Sequence, residues 1–211
     1  MNNRLAIIGA ADLGQLIAYH AYTDGKFKIA GFYDDFRFPG EMVENIPVIG
    51  KLDKIEGDHK KGKFDYLMIG IGYKHMDFRK SLYDRYAGSI PFAKVIHSSS
   101  YVDPSCKIGE GSFVLPGCVL DRNVVLGNNV LLNTACTVAH DTKIDSHCFL
   151  SPAVKIAGFT TVNECCVIGI NATLIDNLKI CSRTHVGGGA VVIKDIVESG
   201  LYVGCPAKKI K

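Results

Sequence analysis

The sequence predicts two joined architectures: a small α/β domain over residues 1–97 and a parallel β-helix over residues 98–211. Three observations carry this. The second half holds an unbroken six-residue ladder of aliphatic residues. The first half alternates apolar strand-like runs with helical segments, as a small parallel sheet does. The composition, 47% hydrophobic and 21% charged in 211 residues, excludes a disordered or collagen-like chain.

The ladder starts at Val102 and steps through Ile108, Val114, Leu120, Leu126, Leu132, Val138 and Ile144, then on to Val192, always landing on Val, Ile or Leu. A period of six fits neither a 3.6-residue helix nor a two-residue strand alternation. It is the period of a solenoid in which each hexad forms one side of a coil, three hexads completing a turn. Two residues before each rung stands a mostly small residue, such as Ser100, Cys106, Ser112, Cys118, Cys136, Cys148 or Cys166, suited to a corner; Leu178 is the bulky exception. Gly109, Gly127, Gly169 and Gly187 follow rungs, where a turn is expected to demand unusual backbone angles. Flat prism faces commonly associate, so a closed oligomer with clefts between subunits is expected.

The ladder also explains the cysteines. Five of the eight lie on its register, as small buried apolar residues. No Cys-x-x-Cys pair occurs, so neither a zinc site nor any other metal is expected. The net charge of +3 is spread over scattered Lys and Arg, which argues against nucleic acid as a partner. No apolar run approaches the ~18 residues of a membrane span. The opening Met1-Asn2-Asn3-Arg4-Leu5 shows no signal-peptide pattern. A cytoplasmic location is the expectation.

In the first half, Leu5–Ile8 reads as a buried strand running into Gly9-Ala10-Ala11-Asp12-Leu13-Gly14, with a helix through Gln15–Ala21. Lys28–Phe32 forms a second strand ending near Asp34 and Asp35, and Tyr66–Gly70 a third, followed by Gly72-Tyr73 and a helix containing Phe78–Tyr83. Ala93–Ile96 is expected as the sheet's last strand, and the polar stretch Asp53–Lys63 as a surface helix or loop. The glycine loop is an incomplete dinucleotide fingerprint, with Ala11 in place of the middle glycine. Three readings stay open: a nicotinamide dinucleotide with Asp34 or Asp35 on its ribose, a single nucleotide or its attached sugar, and a purely structural turn.

The second half resembles the left-handed parallel β-helix acyltransferases of the hexapeptide-repeat family, whose members form trimers with active sites between subunits. The two halves together resemble the bacterial nucleotide-sugar N-acetyltransferases of surface-glycan synthesis, and also the sialic-acid O-acetyltransferase branch. The resemblance implies that acetyl-CoA is the donor. The acceptor it implies is the C4 amine of a UDP- or dTDP-linked 4-amino-4,6-dideoxy sugar. It assigns the nucleotide-linked sugar to Gly9, Ala11, Asp12, Leu13, Gly14, Asp34, Asp35, Gly72 and Tyr73, although Leu13 stands where the family commonly has His.

Direct acetyl transfer needs a base for the attacking amine, an oxyanion donor and correct placement of both substrates. His140, two residues past the rung Val138 and so near a corner, matches the family's base, and Asp141 its orienting carboxylate. A solvated turn residue is the plain alternative for Asp141. Asn133 either contacts the sugar or caps a turn. Phe149 occupies the family's cofactor-side histidine position, nine residues past His140, and its expected partner is an apolar part of acetyl-CoA. Gly158, one coil past His140, matches the loop beside the thioester, with a simple turn as the alternative. Lys208 or Lys209, in a variant of the family's closing Gly-Asn-Pro-Ala-Lys in which Cys205 replaces Asn, is expected near CoA phosphates, with a solvated basic tail as the alternative. His147 and His185 receive no role. Rival functions are sugar O-acetylation, a metal-dependent hydratase lacking its third histidine, and a silent nucleotide-sugar-binding protein.

Overall fold

The computed structural model describes residues 3–211. The chain forms two units, one ending at Val95 and one beginning at Ile96.

The first unit is an α/β sheet. Its strands are β1 (Arg4–Ile8), β2 (Lys28–Tyr33), β3 (Met42–Val43), β4 (Ile46–Gly50) and β5 (Tyr66–Ile69). They lie in the order β3-β4-β2-β1-β5, all parallel except the β3–β4 hairpin. Leu5, Ala6, Ile7 and Ile8 are at most 1% exposed, which is why this central strand is apolar on both faces. Helix α1 (Asp12–Thr23) buries Ile17, Ala18 and Ala21, the side repeating at helical spacing. Helices α2 (Ile55–Lys60) and α3 (Met76–Tyr86) contribute Ile55, Leu82, Tyr83 and Tyr86 to a core shared with Ala6, Ile8 and Tyr33. The polar stretch 53–63 is thus partly helical, and it buries Asp58 against the Tyr33 hydroxyl (3.1 Å) and Lys63 (2.8 Å).

Two features of this unit depart from expectation. The β3–β4 hairpin is an addition, turned by Glu44 and Asn45 at φ of 48° and 62°. Val95–Ile96 is not the last strand of the α/β sheet; it ends one sheet of the β-helix, and only Phe92 bridges Leu67 of β5.

An ion pair fastens the start of β1. Arg4 reaches Asp65, the residue before β5, through Nη2 (2.7 Å), Nε (3.1 Å) and its backbone N–H (2.9 Å). These bonds lower the Asp65 pKa to about 2. A carboxylate with a depressed folded pKa stabilises above its unfolded pKa and loses that contribution as pH falls through the folded value. Asp65→Asn is therefore expected to lower the melting temperature at pH 7, with the difference from the parent closing as pH falls toward about 2. The side chains are 38% and 34% exposed, so solvent screening keeps the effect to ~1 kcal/mol. Melting curves at pH 7, 4 and ~2 check this.

The second unit is a left-handed parallel β-helix with two-residue strands. One sheet runs through Tyr101–Val102, Val119–Leu120, Thr137–Val138, Lys155–Ile156, Thr173–Leu174 and Val191–Val192. A second runs from Lys107–Ile108 to Lys179–Ile180. The third carries Phe113–Val114, Leu131–Leu132, Phe149–Leu150, Val167–Ile168 and His185–Val186, and is extended by Leu201–Val203 and Lys208–Lys209. Through the regular coils each strand pairs with the one 18 residues on, as Thr137 with Lys155, and at the end His185 pairs with Leu201, 16 residues on. Every rung from Val114 to Val192 is at most 2% exposed, while Val102 and Ile108 are only partly buried. Burying each such side chain is worth ~1.5–3 kcal/mol, which makes the interior ladder the main drive for this unit.

The positions two before the rungs do more than fit a corner. Cys118, Cys136, Cys148 and Cys166 point their Sγ at the carbonyls of Asn133 (3.1 Å), Ser151 (3.2 Å), Asn163 (3.1 Å) and Cys181 (3.2 Å). Thr142 and Thr160 hydroxyls donate to Ala157 and Ile175 in the same pattern. A small hydroxyl or thiol at this position thus satisfies a corner carbonyl of the next coil. Leu178, which has no such group, is accommodated in the core at 5% exposure.

The expected turn glycines need correction. Gly109, Gly127, Gly169 and Gly187 do not hold left-handed angles; a Cβ there would lie 2.5–2.7 Å from atoms one coil away, so close approach excludes a side chain. The left-handed positions stand two residues later, from Gly111 through Asn123, Ala135, Asp141, His147 and Phe159 to Gly189, every sixth residue. The corners favour Gly, Asn and Asp because these tolerate positive φ.

Candidate active site

His140 and Asp141 occupy the corner between the strand Thr137–Val138 and the strand Lys143–Ile144. Neighbours on a straight strand point apart. Here Asp141 has φ 57°, and this corner angle brings its Oδ2 to 3.0 Å from His140 Nδ1. Asn123, at the equivalent corner one coil earlier, donates from Nδ2 to Asp141 Oδ1 at 2.9 Å. Arg122 Nη2 lies 4.0 Å from Oδ2. The Asn123 bond, then the His140 bond, holds the Asp141 carboxyl below the usual carboxylate range, so its ionised form is favoured.

One coil on, Gly158 lies against the His140 ring; a Cβ there would stand 2.8 Å from Cε1 and 3.0 Å from Nε2. Glycine is required at 158 because any side chain would displace the imidazole. Phe159 meets the same ring at 5.1 Å between centroids and 84° between planes. Among the described residues, neither His140 Nε2 nor the Gly158 N–H has a hydrogen-bond partner, and the His140 side chain is 43% exposed. An ionised Asp141 favours the tautomer with the proton on Nδ1, which leaves the lone pair on Nε2. Such an arrangement can accept a proton beside a free backbone donor.

The other expected contacts of this unit lie elsewhere. Asn133 stands at a different edge, and its Oδ1 accepts the Thr134 N–H at 2.8 Å, capping its own turn. Phe149 lies in the third sheet, 6% exposed, between Leu131 and Val167. His147 is 4% exposed at the edge after Lys143–Ile144, 3.0 Å from Asn129 Nδ2. Lys208 is exposed on the final antiparallel pair and lines a cavity of about 360 Å³ with Val192, Tyr202 and Pro206.

In the α/β unit the loops after β1, β2 and β5 all stand at the carboxyl ends of parallel strands, where such sheets bind ligands. Gly9 has φ 93°, and a Cβ on Gly14 would lie 1.9 Å from Gly9 O. A Cβ on Gly70 would meet Gly14 Cα at 2.6 Å. The glycines thus let α1 sit directly on β1 and β5. Ala11 is the N-cap of α1 and makes no side-chain cap bond, leaving first-turn N–H groups at the loop. Asp12 and Leu13 follow on that turn. Asp12 adds negative charge there, so an anion would be met by backbone N–H groups and not by this side chain.

Asp34 is committed to the protein itself: Oδ2 accepts the Ala10 N–H (2.9 Å) and Oδ1 the Phe36 N–H (2.8 Å). Asp35 Oδ1 accepts the Leu52 N–H at 2.9 Å. Both carboxylates fix loops in this structure. Gly72 and 42%-exposed Tyr73 open the short turn after β5. The buried Arg79 bonds the carbonyls of Ile69 (3.1 Å) and Ile71 (3.2 Å), holding that loop from below.

Sequence reasoning missed Asn123, Phe159 and Arg79. Asn123 was findable, since it stands one 18-residue coil before Asp141. Arg79 had no signal, because a helical Arg ordinarily reads as solvent-facing.

Residues 4–86 match the PglD N-terminal domain family. Over 99% of this chain and 100% of the other, the structure superposes on the acetyltransferase domain of PglB from Neisseria gonorrhoeae FA1090, with 32% identity and a TM-score of 0.90. The chain belongs to the hexapeptide-repeat acyltransferase family. A histidine-to-alanine mutant of GDP-perosamine N-acetyl transferase from Caulobacter crescentus, solved with CoA and GDP-perosamine, is 28% identical at a TM-score of 0.88, covering 97% of this chain and 95% of that one. The PglB domain has also been solved with acetyl coenzyme A. Among curated members, the UDP-3-O-acylglucosamine N-acyltransferase of Bordetella avium (strain 197N) is 31% identical over 98 residues, which are 46% of this chain and 27% of that protein. The chain spans only about a quarter of the length of such hexapeptide-repeat relatives. No described helix is long and apolar enough to cross a membrane, and no described group of His, Cys, Asp and Glu is arranged to hold a metal ion.

Proposed function

We propose that this chain is an N-acetyltransferase that moves the acetyl group of acetyl-CoA onto the amine of a nucleotide-linked amino sugar, with His140 as general base. The observation that carries the reading is the His140 ring held between Asp141 and Gly158 with Nε2 open. The uncharged amine attacks the thioester carbonyl and the C–N bond forms. Nε2 takes the amine proton, the Gly158 N–H donates to the oxyanion, and the C–S bond breaks. Protonated His140 then returns the proton to the departing CoA thiolate. Transfer is direct, without an acyl-cysteine: Cys118, Cys136, Cys148 and Cys166 are fully buried with their sulfurs on corner carbonyls, and the side-chain hydrogen bond of the His140 base goes to Asp141 and not to a thiol.

The sugar nucleotide belongs to the loops at Gly9–Gly14 and Gly72–Tyr73, with Asp34 and Asp35 shaping that floor. The reaction edge is completed by a second copy in a homotrimer, which also gives Asn133 and Lys208 a route to the substrates, whereas Phe149 is already buried within its own chain. The resemblance in sequence favours a UDP or dTDP carrier and a C4 amine on a 4,6-dideoxy sugar, whereas the Caulobacter relative takes GDP-perosamine.

The test is thiol release from acetyl-CoA with a panel of UDP-, dTDP- and GDP-linked 4-amino sugars, with the product read by mass. A gain of one acetyl on the amine of a panel member is expected. Transfer only to the hydroxyls of sialic acid, or nucleotide-sugar binding without turnover, would sink the reading.

A further inference from the structure

Phe159 occupies a corner that the fold sets at positive φ, here 57°. The same register elsewhere is filled by Asn, Gly, Ala, Asp, His, Cys and Arg, and at the next coil on this edge by Asn177 at φ 61°. Phe159 is the one large apolar residue in the series. A bulky side chain in this region is strained, and small polar residues relieve the strain. Within the single chain packing repays little of it, because Phe159 is 57% exposed there. The contact that the chain itself gives this ring is with His140. The imidazole has Asp141 at Nδ1, Gly158 against Cε1 and Nε2, and Phe159 crossing it at 84°.

We infer that Phe159 is a positioning residue that blocks rotation of the His140 ring and so keeps Nε2 aimed outward, held there at a cost to the stability of its own corner. The inference rests on His140 acting as the base. Edge-to-face aromatic pairs have a preferred geometry, which a flexible aliphatic or amide side chain lacks. Asp141 alone leaves the ring free to swing about its single hydrogen bond.

The experiment compares Phe159→Asn, Phe159→Tyr and His140→Ala in the full chain, with melting temperature and steady-state kinetics at saturating donor and acceptor. Phe159→Asn is expected to melt no lower than the parent and to lose about tenfold in kcat, with KM for both substrates within about twofold. Phe159→Tyr, which keeps the ring contact, is expected to retain kcat. Parent-level kcat in Phe159→Asn overturns the inference. So does a drop in its melting temperature, which would mean the ring supports the fold. Equal loss in Asn and Tyr overturns it as well. If His140→Ala itself turns over normally, the reading of the site fails. If His140→Ala is inactive and Phe159→Asn is not, only the present inference fails.

Discussion

His140→Ala is expected to lower kcat for acetyl transfer by about 10²–10⁴-fold, the range for removing a positioned general base. The fold should hardly notice. The His140 side chain is 43% exposed, and its one hydrogen bond is to a carboxylate that Asn123 also holds. The variant should therefore keep the melting temperature and the nucleotide-sugar affinity of the parent while losing the chemical step. Thiol release at saturating substrates, beside calorimetric binding of the sugar nucleotide, separates these quantities. Turnover within about threefold of the parent would remove His140 as the base.

Gly14→Ala is expected to have the largest effect on stability. The added Cβ would lie 1.9 Å from Gly9 O and 2.9 Å from Gly9 C, both backbone atoms, so no side-chain rotation relieves the clash. Helix α1 must move off β1, opening the contacts that bury Ile17 and Ala18. Overpacking against backbone costs on the order of 3 kcal/mol, which for a unit of this size lowers the melting temperature by on the order of 10 °C. The loss should be confined to the α/β unit. Hydrogen exchange should show protection lost in β1 and α1 while the Val138 and Ile156 amides stay protected. A variant melting within about 2 °C of the parent would show that the helix does not depend on this close approach.

The β-helix was legible in the sequence because its chemistry repeats. A side chain of the Val138 type recurs wherever the coil turns its side inward, and one sequence samples the rule at every coil. The same repetition placed His140 at a corner and Gly158 one coil away. It misplaced the backbone strain. Glycines are conspicuous at 109, 127, 169 and 187, but there they avoid a collision, whereas the strained positions two residues later carry Asn, Asp, Ala and even Phe. In the α/β unit, each feature occurs once. Asp34 has the type and place of a ribose reader, and its oxygens also accept the Ala10 and Phe36 N–H groups, bonds that no sequence pattern marks. The β3–β4 hairpin escaped notice because Met42–Val43 is two residues long and Pro47 interrupts its partner.

The relation between His140, Asn123 and Phe159 was the least visible part. A hydrogen-bonded chain from Asn123 through Asp141 to His140 crosses one coil boundary, and the ring contact with Phe159 crosses another. Pattern alone shows that such residues share an edge. It does not show that the positive φ of Asp141 bends its carboxylate onto its neighbour.

The distance from His140 Nε2 to the amine nitrogen of a bound nucleotide-linked amino sugar, in a crystal also holding CoA, tests the central claim most directly. The account predicts about 2.6–3.2 Å, or one bridging water, with the CoA thiol sulfur at the same edge beside Gly158. An amine bound at another edge of the prism, with Nε2 facing only solvent, would contradict it.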